Sequence, residues 1–223
     1  MIKGLIFDFD GLVIDTESVW YESLCHVYEK HNAELPFDLY SQCIGTSLDR
    51  GFNPYHYLLE ITDQNLDVEE IKRQSAEQHA RIMQDRTLRP GVLSYLDTAT
   101  KMGLKLGIAS SSHLEWVTRF LNEHQIAKYF SCVCTADFVE KVKPDPALYL
   151  LALEQLDLSP NETIAFEDSA NGAKAAHAAG LHTVIVPNAM TEHLTFGPHL
   201  LRLTSMEEMS LEDVITHVSR SNA

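Results

Sequence analysis

Four times along this chain, a short apolar run ends in a cluster of polar or charged residues, and this repeated pairing constrains the fold more than any other feature. Each run has the length and composition of a buried strand. In a parallel sheet the carboxyl ends of such strands meet at one edge, where α/β proteins bind their ligands. The pairs are 1–7 with 8–17, 104–109 with 110–113, 131–136 with 141–146, and 163–166 with 167–172.

Helical patterns lie between these runs. Apolar residues recur at helical spacing in 92–99, 116–121 and 148–152, and 173–179 is rich in alanine. A further apolar run at 182–187 extends the sheet. The alternation predicts the α/β fold class, with a parallel sheet wrapped by helices and right-handed crossovers. A chain of 223 residues, 45% of them hydrophobic, can bury one such core together with an insertion.

The segment 15–88 breaks this alternation, because it contains no convincing strand. Asp67 is expected to cap a long helix, with the Glu70 carboxylate reaching back to it. We therefore predict an α/β core formed by 1–14 and 89–223, and a helical domain formed by 15–88. Two chain crossings would allow hinge motion, although a rigid helical subdomain fits the same pattern. The helical patterns cover 16–31, 54–61 and 67–83.

Two aspartates follow the first apolar run. Because residues two apart on a strand share a side, Asp8 and Asp10 are expected to face one crevice. Neighbouring carboxylates are costly unless a cation or a proton relieves them. A metal ion, a nucleophile and an acid/base pair are therefore all compatible with this spot. A polar turn that merely closes the strand is the structural alternative.

Taken in chain order, the clusters at the four strand ends resemble the four motifs of the haloacid dehalogenase (HAD) superfamily of phosphatases and phosphomutases. The resemblance extends over nearly the whole chain. It implies a three-layer, Rossmann-like HAD core with an inserted α-helical cap domain that closes over small substrates. The residues that carry it are Asp8 with Asp10, Ser110, Lys143, and Glu167 with Asp168.

The resemblance also implies roles for these residues. Asp8 would accept the phosphoryl group, and Asp10 would protonate the leaving oxygen and then activate water. Ser110, Ser111 and Lys143 would bind and neutralise the phosphoryl group. The implied cofactor is Mg²⁺, which prefers oxygen ligands. Its ligands would be the Asp8 side chain, the Asp10 backbone carbonyl and Asp168, with Glu167 as a direct or indirect ligand.

Two of these assignments have rivals within the sequence. Lys141 competes with Lys143 for the lysine role, but the Lys-Pro step of the family pattern favours Lys143. Asp168 would also suit a plain helix cap before the helix that begins near Ser169. Metal binding is the favoured interpretation, because the other motifs converge on the same edge of the sheet.

The second aspartate bears on the reaction. Dehalogenases of the superfamily generally lack a counterpart of Asp10, so its presence favours phosphoryl transfer over carbon–halogen cleavage. We predict a magnesium-dependent phosphatase that hydrolyses a small phosphorylated metabolite, such as a sugar phosphate, through an aspartyl-phosphate on Asp8. The alternatives are a β-phosphoglucomutase-like phosphomutase and a catalytically silent, phospho-accepting module.

The helical segment weakens the mutase alternative. Where similar mutases have a histidine early in the first cap helix, this chain has Trp20. Their cap loop carries an arginine that grips the distal phosphate, whereas here Arg50 lies two residues beyond that register. The candidate substrate contacts in the cap are Glu17, Trp20, Thr46, Ser47 and Arg50.

Charge and cysteines limit the partners and the compartment. With 17 Lys and Arg against 32 Asp and Glu, the net charge is −15, and no basic run occurs. Nucleic acid and anionic membranes are therefore not expected partners, and no obligate protein partner is implied. No secretory leader or spanning apolar run is apparent. Because the four cysteines (Cys25, Cys43, Cys132 and Cys134) lack zinc or redox spacing, we expect a cytoplasmic location.

Overall fold

The chain folds into two compact units in the computed structural model, which describes residues 1–41, 52–62 and 66–220. The first, which we call the α/β unit, comprises Met1–Ile14 and Thr87–Ala223. The second, the helical unit, comprises Asp15–Arg86 and is inserted between those two segments.

The α/β unit is built on a six-stranded sheet with the order β3-β2-β1-β4-β5-β6. All neighbouring strands are parallel, and helices pack on both sides of the sheet. The predicted Rossmann-like α/β class is therefore confirmed. The strands are β1 Gly4–Phe7, β2 Lys105–Ala109, β3 Cys132–Cys134, β4 Thr163–Glu167, β5 His182–Ile185 and β6 Leu201–Arg202.

Nine α-helices are found among the described residues. The helical unit contains α1 Glu17–Lys30, α2 Phe37–Tyr40, α3 Pro54–Ile61 and α4 Val68–Met83. The α/β unit contains α5 Val92–Lys101, α6 Leu114–Glu123, α7 Ala147–Leu156, α8 Ala170–Ala178 and α9 Leu211–Arg220. No helix of the described part is long and apolar enough to cross a membrane.

Strand β1 is the centre of the α/β unit, and its position sets the edge where the polar clusters meet. Its four residues are all buried, as expected for a strand covered on both faces. In the parallel register, Phe7 pairs with Ile108 of β2 and with Phe166 of β4. The residue after β1 therefore lies level with the carboxyl ends of both neighbouring strands.

The helical unit is organised around the packing of α1 against α4. The rings of Trp20 and His79 stack with centroids 3.9 Å apart, and the hydroxyls of Ser23 and Ser75 lie 3.3 Å apart. The predicted role of Asp67 as the N-terminal cap of α4 is correct. The Asp67 side chain accepts the N–H of Glu69 at 3.0 Å.

The predicted capping box of α4 is otherwise wrong. The Glu70 carboxylate does not reach back to Asp67 but accepts hydrogen bonds from Arg73 and Gln74, on the following turn. A long cationic side chain three residues on offers an ion pair that a backbone N–H does not. The end of the chain also adds two elements that the sequence reading did not include, namely β6 and α9.

Candidate active site

Three neighbouring strands bring acidic and hydroxyl side chains to one edge of the sheet. Asp8 follows the last residue of β1, Ser110 follows β2, and Glu167 is the last residue of β4. Asp8, Ser110 and Glu167 are all buried, as is Asp168. Buried polar groups require partners, so the contacts between these side chains define the site.

Lys143 joins two of the strand ends. Its Nζ donates to Asp8 Oδ1 and, at 2.6 Å, to Glu167 Oε1. Its side chain is only 5% exposed, and the Lys143–Pro144 peptide bond is cis. Burial alone would lower the pKa of Lys143, but attraction to Asp8 and Glu167 outweighs it and raises the pKa, so the ammonium stays charged. Lys141, the rival candidate, is exposed.

Glu167 is surrounded by donors. Its Oε1 accepts the hydroxyl of Tyr149 at 2.5 Å as well as the Lys143 ammonium, and its Oε2 accepts the hydroxyl of Ser169 at 3.2 Å. A Cβ atom at Gly172 would lie 2.0 Å from this carboxylate, so this position in the first turn of α8 requires a residue that lacks a side chain. Both carboxylate oxygens of Glu167 are thus fixed by hydrogen bonds, and Lys143 is one of the donors.

The surroundings of Asp8 have opposing effects on the pKa of its carboxyl group. Its pKa is raised to about 8, chiefly by burial; the attraction of Lys143 opposes the rise, and the charges of Glu167 and Asp10 add to it. Lys143 forms ion pairs with Asp8 and Glu167, and the buried carboxylate of Asp168 lies close to both of these acids. An excess of buried negative charge of this kind is relieved by a proton or by a bound cation.

The same three carboxylates form a cluster that suits a metal ion. One ligand oxygen from each of Asp8, Glu167 and Asp168 lies within 4.8 Å of the others. Asp168 is oriented by Asn188, whose Nδ2 donates to Asp168 Oδ2 at 2.8 Å and to the Gly11 carbonyl at 3.1 Å. Hard oxygen donors, close spacing and excess negative charge together fit a divalent cation.

Gly11 explains how the chain passes so close to Asp168. Its φ angle is +84°, in the left-handed region, and a Cβ atom there would lie 2.3 Å from Asp168 Oδ2. The guanidinium of Arg89 donates to the same Gly11 carbonyl at 2.6 Å and to the Pro187 carbonyl at 2.7 Å. Arg89 therefore connects the loop after β1 with the loop after β5, next to Asp168.

Asp10 is held by a separate set of donors. Its Oδ2 accepts the hydroxyls of Ser110 at 3.1 Å and Ser112 at 2.7 Å, and its Oδ1 accepts the indole N–H of Trp116 at 2.8 Å. We call Ser110, Ser112 and Trp116 the Asp10 cradle. The Asp10 side chain is thus held by the loop after β2 and by α6. The carboxylates that could bind a cation are those of Asp8, Glu167 and Asp168.

The remaining serine of the motif has a different environment. Ser111 is exposed, whereas the Ser110 hydroxyl accepts the N–H of Ser112 at 3.0 Å. The first turn of α6 is capped by Asp137, which accepts the N–H of Leu114 at 2.7 Å. That backbone hydrogen bond is the main reason why the pKa of Asp137 falls to about 2.

The predicted cap residues are only partly within the described structure. Glu17 opens α1 and is half-buried, and Trp20 stacks on His79 of α4. Thr46, Ser47 and Arg50 lie outside the described residues, as does Cys43. Sequence reasoning did not identify Trp116, Tyr149 or Asn188. Trp116 and Tyr149 lie in apolar helical patterns, and Asn188 follows the last predicted strand.

Comparison with known proteins identifies the family. Residues 5–186 match the model of the haloacid dehalogenase-like hydrolases. The chain therefore belongs to the haloacid dehalogenase-like hydrolase family, which confirms the resemblance and the predicted hydrolase class.

Individual relatives cover nearly all of the chain. YhcW of Bacillus subtilis, provisionally named a phosphatase, is 46% identical over 100% of both chains. The phosphorylated carbohydrates phosphatase of Thermotoga maritima is 29% identical over 96% of this chain and 97% of its own. A solved Thermotoga maritima structure, provisionally named a β-phosphoglucomutase, is similar with a TM-score of 0.79 and 27% identity, covering 97% of this chain and 100% of that one.

Proposed function

We propose that this protein is a magnesium-dependent phosphatase that hydrolyses a small phosphorylated metabolite, probed best with sugar phosphates. One observation carries the proposal: Lys143 bridges Asp8 and Glu167 in a buried cluster that also contains Asp168. A nucleophilic carboxylate, a fixed cation and a metal-binding carboxylate are what transfer of a phosphoryl dianion requires.

In the first step, an Asp8 carboxylate oxygen attacks the phosphorus atom, and the bond between phosphorus and the leaving oxygen breaks. Asp10 gives its proton to that oxygen, so the product leaves as a neutral alcohol. Lys143 and the Ser110 hydroxyl bind the equatorial phosphoryl oxygens. The step leaves an acyl phosphate on Asp8 and a carboxylate on Asp10.

In the second step, the Asp10 carboxylate takes a proton from water, whose oxygen attacks the phosphorus atom of the acyl phosphate. The bond between phosphorus and Asp8 breaks, inorganic phosphate leaves, and both aspartates return to their starting states. One water molecule is consumed for each phosphate ester cleaved.

Asp8, Asp168 and the Asp10 backbone carbonyl would hold the Mg²⁺, with Glu167 acting through Lys143. When bound, Mg²⁺ supplies positive charge that screens Asp8 from the phosphoryl oxygens. The fit rests on the close spacing of the three carboxylate oxygens, which are hard ligands, and on the burial of all three residues.

The substrate class is supported by the relatives, since one of them is named for its action on phosphorylated carbohydrates. In this proposal the helical unit acts as a cap domain, and Glu17, Trp20, Thr46, Ser47 and Arg50 remain candidates for substrate contacts. Cys25, Cys132 and Cys134 are free thiols, in keeping with the cytoplasmic location that the sequence predicts.

The test is phosphate release by the purified protein, with and without Mg²⁺, from p-nitrophenyl phosphate and from a panel of sugar phosphates and short phosphorylated acids. We expect metal-dependent release from the aryl phosphate and a marked preference within the panel. Asp8→Asn is the control. Release by the wild-type protein no greater than by Asp8→Asn would contradict the proposal and favour a silent, phospho-accepting module.

A β-phosphoglucomutase-like activity is the second candidate, favoured by the provisional name of the Thermotoga maritima structure. Against it, the sequence position of the mutase histidine holds Trp20, which stacks on His79. NMR of β-glucose 1-phosphate incubated with the protein separates the two activities. Glucose 6-phosphate that accumulates without free phosphate would favour the mutase.

A further inference from the structure

The Asp10 cradle contains more hydrogen-bond donors than the proposed reaction assigns. The Ser110 hydroxyl lies 3.1 Å from Asp10 Oδ2, Ser112 lies at 2.7 Å, and the indole N–H of Trp116 lies 2.8 Å from Oδ1. In the proposed function Ser110 serves the phosphoryl group. Ser112 and Trp116 have no part in it, although both contact the proposed acid.

Ser110 cannot keep its hydrogen bond to Asp10 throughout the proposed reaction. A serine hydroxyl has one proton to donate, so it cannot bond a phosphoryl oxygen and the Asp10 carboxylate at once. Once substrate is bound, the longest of the three hydrogen bonds to Asp10 is therefore given up. Orientation of Asp10 then depends on Ser112 and Trp116.

Trp116 is the more rigid of these two donors. Its indole N–H only donates, and the ring packs edge-on against Phe120 at 4.7 Å, with the Arg119 guanidinium 5.3 Å from its centre. The helix that carries it is pinned at its first residue by the hydrogen bond from Leu114 to Asp137. A donor fixed in this way holds one carboxylate oxygen in one place.

We propose that Trp116 is a positioning residue that keeps Asp10 oriented toward the leaving oxygen when Ser110 turns to the phosphoryl group. This inference rests on the proposed function, because it needs Asp10 to protonate the leaving group. When Asp10 releases its proton to that oxygen, the carboxylate that forms retains the indole N–H as a fixed donor.

The test is the dependence of kcat/KM on the leaving group in Trp116→Phe, which keeps the ring and removes the N–H. The leaving group of glycerol 2-phosphate is an alkoxide, which needs a proton. The leaving group of p-nitrophenyl phosphate is a stable phenolate, which does not. We expect kcat/KM to fall about tenfold for the alkyl ester and less than about threefold for the aryl ester. The loss is expected in kcat, with KM nearly unchanged.

Two variants make this test specific. Ser112→Ala removes the second donor and is expected to show the same selective loss, which keeps the inference testable if Trp116→Phe folds poorly. Asn122→Ala changes an exposed residue of the same helix and keeps the indole and its contacts, and is expected to leave both rates within about twofold of wild type. Circular dichroism and thermal unfolding report whether each variant is folded.

A double-mutant cycle separates positioning from a general effect. If Trp116 acts through Asp10, Trp116→Phe causes no further loss in an Asp10→Asn background. Equal loss for both esters in the single variant, or a full additional loss in the Asp10→Asn background, would overturn the inference. A wild-type protein without metal-dependent phosphate release would instead overturn the proposed function and this inference with it.

Discussion

The two units of this protein use charge in opposite ways. In the α/β unit, Lys143 and Glu167 form an ion pair whose side chains are 5% and 0% exposed. In the helical unit, Lys72 and Glu69 form a pair three residues apart on α4, with 47% and 76% exposure. An exposed pair of this kind contributes little, whereas a buried charge is strongly destabilising once its partner is removed.

This difference in burial indicates which charged residues are the better candidates for a functional site. Water screens charges on the surface of α4, whereas it screens the buried charges at the ends of β1 and β4 much less. The Lys72–Glu69 pair is exposed and lies within one helix, whereas the pairs of Lys143 with Asp8 and Glu167 are buried at the strand ends where the proposed chemistry takes place. The predictions below follow this contrast, from the largest expected effect to the smallest.

Substitution of the proposed nucleophile should have the largest effect. Asp8→Asn removes the attacking carboxylate but keeps its size, so we expect kcat to fall by at least about 10³-fold. The measurement is phosphate release from p-nitrophenyl phosphate at saturating Mg²⁺. A variant that retained a tenth of the wild-type rate would show that another group attacks the phosphorus.

Removal of the bridging ammonium should affect both activity and stability. In Lys143→Met two buried carboxylates lose the cation that they share, so we expect about 3–5 kcal/mol less unfolding free energy in the metal-free protein and at least about 10²-fold lower kcat/KM. Lys141→Met is the matched control, with a change within about 0.5 kcal/mol. Denaturant unfolding and steady-state kinetics measure the two effects. Similar results for both lysines would remove the contrast between buried and exposed charge.

Loss of the amide that orients Asp168 should weaken metal binding. Asn188→Ala removes the donor at 2.8 Å, and we expect the Mg²⁺ concentration for half-maximal activity to rise about 10-fold to 100-fold, with activity largely recovered at saturating Mg²⁺. Asn122→Ala, an exposed change on α6, is the control. An unchanged Mg²⁺ requirement in Asn188→Ala would mean that Asp168 does not hold the metal.

The smallest effect is expected on the surface of the helical unit. Lys72→Gln breaks the exposed pair with Glu69, and we expect a change in unfolding free energy below about 0.5 kcal/mol, with no change in kcat or in the Mg²⁺ requirement. Thermal unfolding and the phosphatase assay measure these quantities. A tenfold loss of activity in this variant would place functional charge in the helical unit.

The sequence reading was most successful where strand geometry determines position. The parallel register brings Asp8, Ser110 and Glu167 to one edge because each stands at the end of a neighbouring strand, a relation visible in the order of apolar runs. The preference for Lys143 over Lys141 came from the family pattern, and the structure buries the first and exposes the second. The roles of these residues stay predictions.

Partners of the site were harder to predict. The polar atoms of Trp116 and Tyr149 belong to side chains whose apolar bodies follow helical spacing, so the pattern identifies the helix and conceals the donor. Asn188 reaches Asp168 from the loop after β5, a contact set by three-dimensional folding. Glu70 was predicted wrongly for a different reason. Its sequence position fits a capping box, but its carboxylate forms an ion pair with Arg73 instead.

The most direct test of the account is acid quenching of the protein during turnover, followed by mass analysis of its peptides. We predict that the peptide containing Asp8 gains the mass of one phosphoryl group, in the presence of Mg²⁺ and substrate, and that Asp8→Asn shows no such gain. Rapid phosphate release without any phosphorylated Asp8 peptide, under conditions where a standard acyl phosphate survives the quench, would contradict it.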